Sequence, residues 1–398
     1  MSRAGTALAA VTGATGIAAN VFGRTAPWRV YPWYLAGLVP GLVSTELSGP
    51  AAAAQAAATG LALRLGAGRS TLGRLGLVAG AGAAVSLAGL HRAGQDASGV
   101  LDRALETVAP YTETPVTTLG PVITRDVPYH DEAPAQVLDI WQRPDRPSDC
   151  PVMIQVHGGS WTGGSKATQG LHLMRHLTAR GWICVSIDYR LGPDHRWPAQ
   201  IVDVKRAIAW VREHIAEYGG DPSFIAVTGG SAGGHLAGLA AVSGNDPAFQ
   251  PGFEDADTSV QAGAPVYGVY DLTALNDDGR PRLRRWVRAK LFTADFEDDP
   301  ATWRAASPTH RVDEHAPPLL IVHGDRDEIV TVNQARGFAR RAAAVSGRGV
   351  HYAELPYAHH AFDLVRSART MATVRAVTRF FDAVRSSADR PASRPAAR

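Results

Sequence analysis

Gly229-Gly230-Ser231-Ala232-Gly233 reads G-x-S-x-G. The residues before it, Phe224-Ile225-Ala226-Val227-Thr228, are apolar and β-prone, as in a buried strand. The residues after it, Gly234-His235-Leu236-Ala237-Gly238-Leu239-Ala240-Ala241, read as the start of a packed helix. Strand, tight turn and helix together hold a central serine at a strained backbone angle with its hydroxyl raised above a sheet. Small neighbours are required because strand and helix approach closely there. A chain with 41 glycines also produces this pattern by chance. A Gly-rich strand-to-helix turn, with or without a phosphate, is therefore the competing reading until partners are found.

A serine hydroxyl is a poor nucleophile at neutral pH. It needs a base, and the base needs a carboxylate to fix its tautomer and stabilise its cation. In sheet enzymes of this kind the chain order is serine, then acid, then histidine. Downstream of Ser231, the strand Leu319-Leu320-Ile321-Val322 runs into His323-Gly324-Asp325-Arg326-Asp327. Strand 350–355 runs into Pro356-Tyr357-Ala358-His359-His360-Ala361-Phe362. Both loops follow strands of an alternating strand–helix pattern, at the carboxyl ends where open α/β sheets place their sites. Asp325 and Asp327 compete for the acid, and His359 and His360 for the base. Upstream, His157-Gly158-Gly159-Ser160-Trp161 follows strand 151–156 and offers backbone donors for a developing oxyanion. The expected donors are the N–H groups of Gly159, Ser160 and Ala232, with Gly158 shaping the turn of that oxyanion hole. The phosphate-loop pattern with its Lys-Ser/Thr is absent from this loop. His157 reads as a turn-stabilising residue, and Trp161 as either acyl-pocket lining or core.

His157-Gly158-Gly159, Asp188-Tyr189-Arg190-Leu191, Gly230-Ser231-Ala232-Gly233-Gly234, His323-Gly324-Asp325-Arg326-Asp327 and His360-Ala361-Phe362 together resemble the α/β-hydrolase esterases of the hormone-sensitive-lipase-like and carboxylesterase branches. The resemblance spans about 115–385, and its nearest pattern is that of actinobacterial lipase/esterases with a hydrophobic N-terminal extension. It implies an α/β-hydrolase fold. It assigns the nucleophile to Ser231, the acid to Asp327 at the G-x-x-D position and the base to His360 at the H-x-F position. Two residues depart from the subgroup patterns: Ser160 stands where one subgroup has a third glycine, and Gly230 where another has an acid. Ser160-Trp161 is closer to the H-G-G-x-W of formamidase-like relatives. Asp188 to Leu191 reads as a strand-end network that supports the oxyanion loop. The implied reaction is hydrolysis of a small ester or lipid through an acyl-enzyme, with no metal and no organic cofactor. The rival readings are an amide-cleaving relative on the same fold and a non-catalytic membrane-anchored binding protein.

The rest of the composition is permissive. Net charge is +3, from 40 basic and 37 acidic residues, and no basic run is interleaved with aromatics, which argues against a nucleic-acid partner. Cys150 and Cys184 form no metal or redox spacing, and Cys184 reads as a buried strand thiol. Residues 1 to about 95 are rich in Ala, Gly and Leu and nearly free of acids. Val11-Thr12-Gly13-Ala14-Thr15-Gly16 imitates a dinucleotide turn but lacks a leading strand and a following βαβ unit. Apolar segments at 33–43, 51–65 and 75–90 follow, with Trp28, Tyr31, Trp33 and Tyr34 before the first. These features predict membrane association through residues 31–90, against a cytoplasmic, soluble helical subdomain as the alternative. The expected organisation is a hydrophobic helical region over 1–110 and a catalytic domain over 111–386. Residues 271–310 form an insertion; either it or the N-terminal segments can serve as a lid, and 387–398 form a disordered tail.

Overall fold

The computed structural model describes residues 3–25, 33–111, 120–130 and 135–388. The aromatics Trp28 and Tyr31 and residues 389–398 of the expected tail lie outside the described residues. The chain divides into two compact units. One comprises Met1–Val100, Gly324–Val332 and Glu354–Ala372. The other comprises Leu101–His323, Asn333–Ala353 and Thr373–Arg398.

The N-terminal part is helical: α1 (Arg3–Arg24), α2 (Trp33–Glu46), α3 (Ser48–Arg64), α4 (Thr71–Gln95) and α5 (Ala97–Ala104). Ser70 caps α4 by accepting from Gly73 N at 3.0 Å. The dinucleotide-like stretch lies inside α1, where its glycines serve packing. A Cβ on Gly13 would meet the Cβ of Ala79 and the carbonyl of Gly76 at 3.0 Å, and one on Gly76 would meet the Ala9 carbonyl at 2.5 Å. Polar groups tie these close-packed helices together. Gln55 donates to Thr12 O at 3.0 Å, and Asn20 to Ala83 O at 3.2 Å. Arg24 donates to the hydroxyl and the carbonyl of Ser86, each at 3.0 Å.

The strands are β1 (Val122–Pro128), β2 (Val137–Gln142), β3 (Cys150–Val156), β4 (Ile183–Ile187), β5 (Gly220–Gly230), β6 (Ala262–Val266), β7 (Leu319–Gly324) and β8 (Val350–Leu355). They form one eight-stranded sheet in the order β1-β2-β4-β3-β5-β6-β7-β8. β1, β2 and β4 pair antiparallel, whereas β4, β3, β5, β6 and β7 pair parallel in succession. β3, β4, β6 and β7 are buried along their whole lengths, in keeping with their mostly apolar runs and strands covered on both faces. Cys184 sits on β4, and burial pushes its thiol up to about 12.

The intervening helices are α6 (Leu171–Ala179), α7 (Ala199–His214), α8 (Ala232–Val242), α9 (Pro281–Lys290), α10 (Pro300–Ala305), α11 (Pro308–Arg311), α12 (Val332–Val345) and α13 (Ala368–Ala388). α9, α10 and α11 open with proline in the first turn, where its missing N–H costs nothing. The segment expected as a polar insertion at 271–310 has a packed apolar side. Leu272, Leu275, Val287, Leu291, Phe292 and Trp303 are all buried, and Phe292 stacks on Trp303 at 4.5 Å.

Candidate active site

Ser231 sits between β5 and α8 with φ 59° and ψ −121°, a conformation that L residues other than glycine seldom adopt. Two backbone hydrogen bonds hold it there: its N–H donates to Val266 O at 3.1 Å, and its carbonyl accepts from His235 N at 2.9 Å. The neighbouring glycines have no room for a side chain. A Cβ on Gly229 would lie 2.5 Å from the Val156 and Gly233 carbonyls, and one on Gly233 2.1 Å from Val156 O. The turn is therefore pressed against the end of β3.

The loop after β3 is equally constrained. Gly159 has φ 126°, and Ser160 and Trp161 have φ 54° and 59°. A Cβ on Gly158 would approach Gly230 O at 2.6 Å and the Ser231 Cβ at 3.2 Å, so this loop abuts the serine turn directly. The Gly158 N–H donates to Gln169 Oε1 at 2.7 Å and is committed to shaping the loop. The His157 ring donates from Nδ1 to Gly158 O at 2.7 Å and stacks on Tyr189 at 4.4 Å. Burial holds His157 below the usual histidine range, with its Gly158 hydrogen bond and Asp188 opposing. The Tyr189 hydroxyl donates back to His157 O at 2.9 Å. Asp188 accepts from Lys166 N at 2.7 Å, and Arg190 chelates the buried Asp203 through its backbone N–H and guanidinium. Asp188 to Arg190 thus braces the loop, as expected of a strand-end network.

Trp161 is core. Its ring is buried and its Nε1–H donates to His235 Nδ1 at 3.0 Å. His235 Nε2–H donates in turn to Ala306 O at 2.7 Å, which fixes a neutral tautomer; burial pulls this histidine down to about 4. His235 was not singled out in the sequence. Only its position one turn beyond Ser231, on a helix buried along its whole length, marks it. Through it the oxyanion-side loop, α8 and the 271–310 segment are linked.

The acidic and histidine side chains of the two loops make different hydrogen bonds. Asp327 Oδ2 accepts from His360 Nδ1–H at 2.7 Å, while Oδ1 accepts from Ile329 N at 2.9 Å and Val330 N at 2.8 Å. Asp325 instead accepts from Tyr357 N at 2.7 Å and closes the turn between the loops; burial raises its carboxyl above the usual range. His359 Nδ1–H donates to Glu328 Oε2 at 3.1 Å. Burial works against a charged His360, yet Asp327, then Glu328 and Asp363, outweigh it and raise this histidine above its usual range. Glu328 is a second buried carboxylate at the dyad, and sequence reasoning passed over it. With its Nδ1 proton held by Asp327, neutral His360 has Nε2 as its basic nitrogen. Among the described residues no cluster of His, Cys, Asp and Glu has a metal-binding arrangement.

Residues 138–341 match the BD-FAE family. The chain is 42% identical over 94% of its length to a probable carboxylic ester hydrolase, LipM of Mycobacterium tuberculosis, of which it covers 91%. The chain belongs to this family of carboxylic ester hydrolases. Esterase LipQ of the same organism is 50% identical over 66% of the chain, which spans 62% of that protein. Among solved structures, a thermophilic esterase of Thermogutta terrifontis matches 69% of the chain and 95% of its own, with a TM-score of 0.55 and 24% identity. That likeness establishes the α/β-hydrolase fold expected from the motifs.

Proposed function

We propose that the chain hydrolyses carboxylic esters with Ser231 as nucleophile, His360 as general base and Asp327 as its orienting acid. The observation that carries the reading is the Asp327–His360 hydrogen bond at 2.7 Å, with Asp327's other oxygen locked by two backbone N–H groups. Such a pair fixes the imidazole tautomer and stabilises the imidazolium that forms during attack. Further support is the strained Ser231 conformation and the serine–acid–histidine order. In the first half-reaction, His360 Nε2 takes the Ser231 proton as Oγ attacks the ester carbonyl. The N–H groups of Gly159, Ser160 and Ala232 hold the oxyanion. The alcohol leaves with the proton from His360, and water then cleaves the acyl-enzyme by the same route. Gly158 takes no part as a donor, because Gln169 already holds its N–H. The 111–386 region is the catalytic domain in this reading. The amide-cleaving alternative gains nothing from the site. Esters of graded acyl length, formamides and aminopeptidase substrates, assayed with wild type and Ser231→Ala, test the proposal. Faster turnover of amides than of esters would overturn the substrate class.

We also infer that the N-terminal helices meet a membrane. Two stretches, Arg3–Arg24 and Thr71–Ala104, are long and apolar enough to cross one. α2 and α3, at 14 and 17 residues, are short of a span, so the association belongs to α1 and α4 more than to 31–65. The support is a set of large aliphatic side chains left exposed on helices whose close contacts are made largely by small residues, although Leu87 and Leu90 are buried. Glycine, alanine and polar residues fill the contacts between helices, while Val11, Ile17, Leu75, Val78 and Val85 are 54–75% exposed. Water favours the opposite arrangement, and lipid favours this one.

A further inference from the structure

Two contacts run from α2 into the loop that carries His360. The first is a buried ion pair. Glu46, at the end of α2, receives a hydrogen bond from the Arg369 guanidinium and another from the Ser367 hydroxyl at 2.6 Å. The Glu46 and Arg369 side chains are 0% and 1% exposed. Arg369 donates its other terminal nitrogen to Pro356 O at 3.1 Å, the first residue of the His360 loop. The second contact is steric. Gly41 faces the His359 ring so closely that a Cβ would lie 2.8 Å from its Nδ1. That nitrogen holds Glu328, whose same oxygen lies 3.5 Å from the His360 backbone N. α2 therefore grips the loop at Pro356, before the histidines, and at His359 beside His360.

We propose that α2 is a positioning element for the catalytic base: Glu46 acts through Arg369, and Gly41 through His359 and Glu328, so that ester hydrolysis depends on the docking of an N-terminal helix. This rests on the reading of His360 as the base. A buried carboxylate that meets a buried guanidinium costs desolvation on both sides and is a weak source of stability. It is, however, a strong constraint on geometry, and displacing a catalytic group by about 1 Å lowers turnover on the order of 100-fold. The acidic groups at His360 are Asp327, Glu328 and Asp363, and none of them is supplied by α2. The helix thus acts by placement and adds no charge of its own at the imidazole.

The test uses purified full-length protein in detergent micelles with a short-chain p-nitrophenyl ester. Gly41→Ala, Glu46→Gln, His359→Ala, Gly41→Ala with His359→Ala, and His360→Ala are compared, with Val43→Ala on the exposed face of α2 as control. The expected result is a fall in kcat of about 10- to 100-fold for Gly41→Ala and Glu46→Gln, with KM within about twofold. Fluorophosphonate labelling of Ser231 slows in parallel. Adding Gly41→Ala to His359→Ala changes kcat little, because the ring it collides with is gone, and Val43→Ala matches wild type. If Gly41→Ala and Glu46→Gln both keep wild-type kcat while His360→Ala is inactive, α2 does not position the base and the triad stands. If His360→Ala stays active, the reading of the base itself falls. Should Glu46→Gln fail to fold, the Gly41–His359 cycle decides alone.

Discussion

The Ser231 backbone, at φ 59° and ψ −121°, stores strain of about 1–3 kcal/mol that the surrounding turn must hold in place. The sequence showed the serine, the order of its partners and the loops that carry them. Spacing alone did not separate Asp327 from Asp325, a choice made by the family resemblance, because both follow β7 within three residues and the choice depends on which carboxylate the backbone turns inward. Asp325 is held by Tyr357 N, and Asp327 is left to His360. Glu328 stayed hidden for the same reason: nothing in its spacing shows that its side chain folds under the histidine loop. Its charge has a testable effect. If His360 is the base, as proposed, it must be neutral to accept the Ser231 proton, so activity is expected to fall as pH drops through its raised pKa. Glu328→Gln removes one of the anions that raise it. The acid limb of kcat/KM should therefore move to lower pH in this variant, with the alkaline side unchanged. A limb that stays in place or moves upward contradicts the assigned electrostatics.

At the scale of elements, the strands β3 to β7 were readable because continuous apolar runs leave no solvent face to confuse the period. The helix boundaries were less so. α13 begins only at Ala368, because a short 3-10 turn over Phe362–Leu364 precedes it and follows Ala361, whose φ is 58°. The length of α1 does not stand out in the sequence, since its Gly, Ala and Thr dilute the apolar signal. Those small residues are what let α1 and α4 approach. The same requirement governs the serine turn. Gly233→Ala puts a Cβ 2.1 Å from Val156 O and 2.6 Å from His157 O, so the strand, the oxyanion-side loop or the helix must shift. We expect a loss of about 1–3 kcal/mol in stability, read by chemical denaturation, together with a kcat loss out of proportion to it. Unchanged stability and turnover would mean that the turn is looser than these distances state.

The whole molecule joins an ester hydrolase to a set of helices with many exposed large aliphatic side chains. If those helices are embedded, the protein expressed in cells stays in the pellet after alkaline carbonate extraction and enters solution only with detergent. Release into the carbonate supernatant would rule out integral helices and leave α1 and α4 as a soluble bundle. The central claim is narrower and concerns the serine. Reaction of the folded full-length protein with a fluorophosphonate probe, followed by peptide mapping, locates the nucleophile. The assignment of Ser231 as nucleophile predicts one modified residue, Ser231, with labelling abolished in Ser231→Ala and slowed on the order of 10⁴-fold in His360→Ala. Modification at another serine, or full labelling without His360, would contradict it.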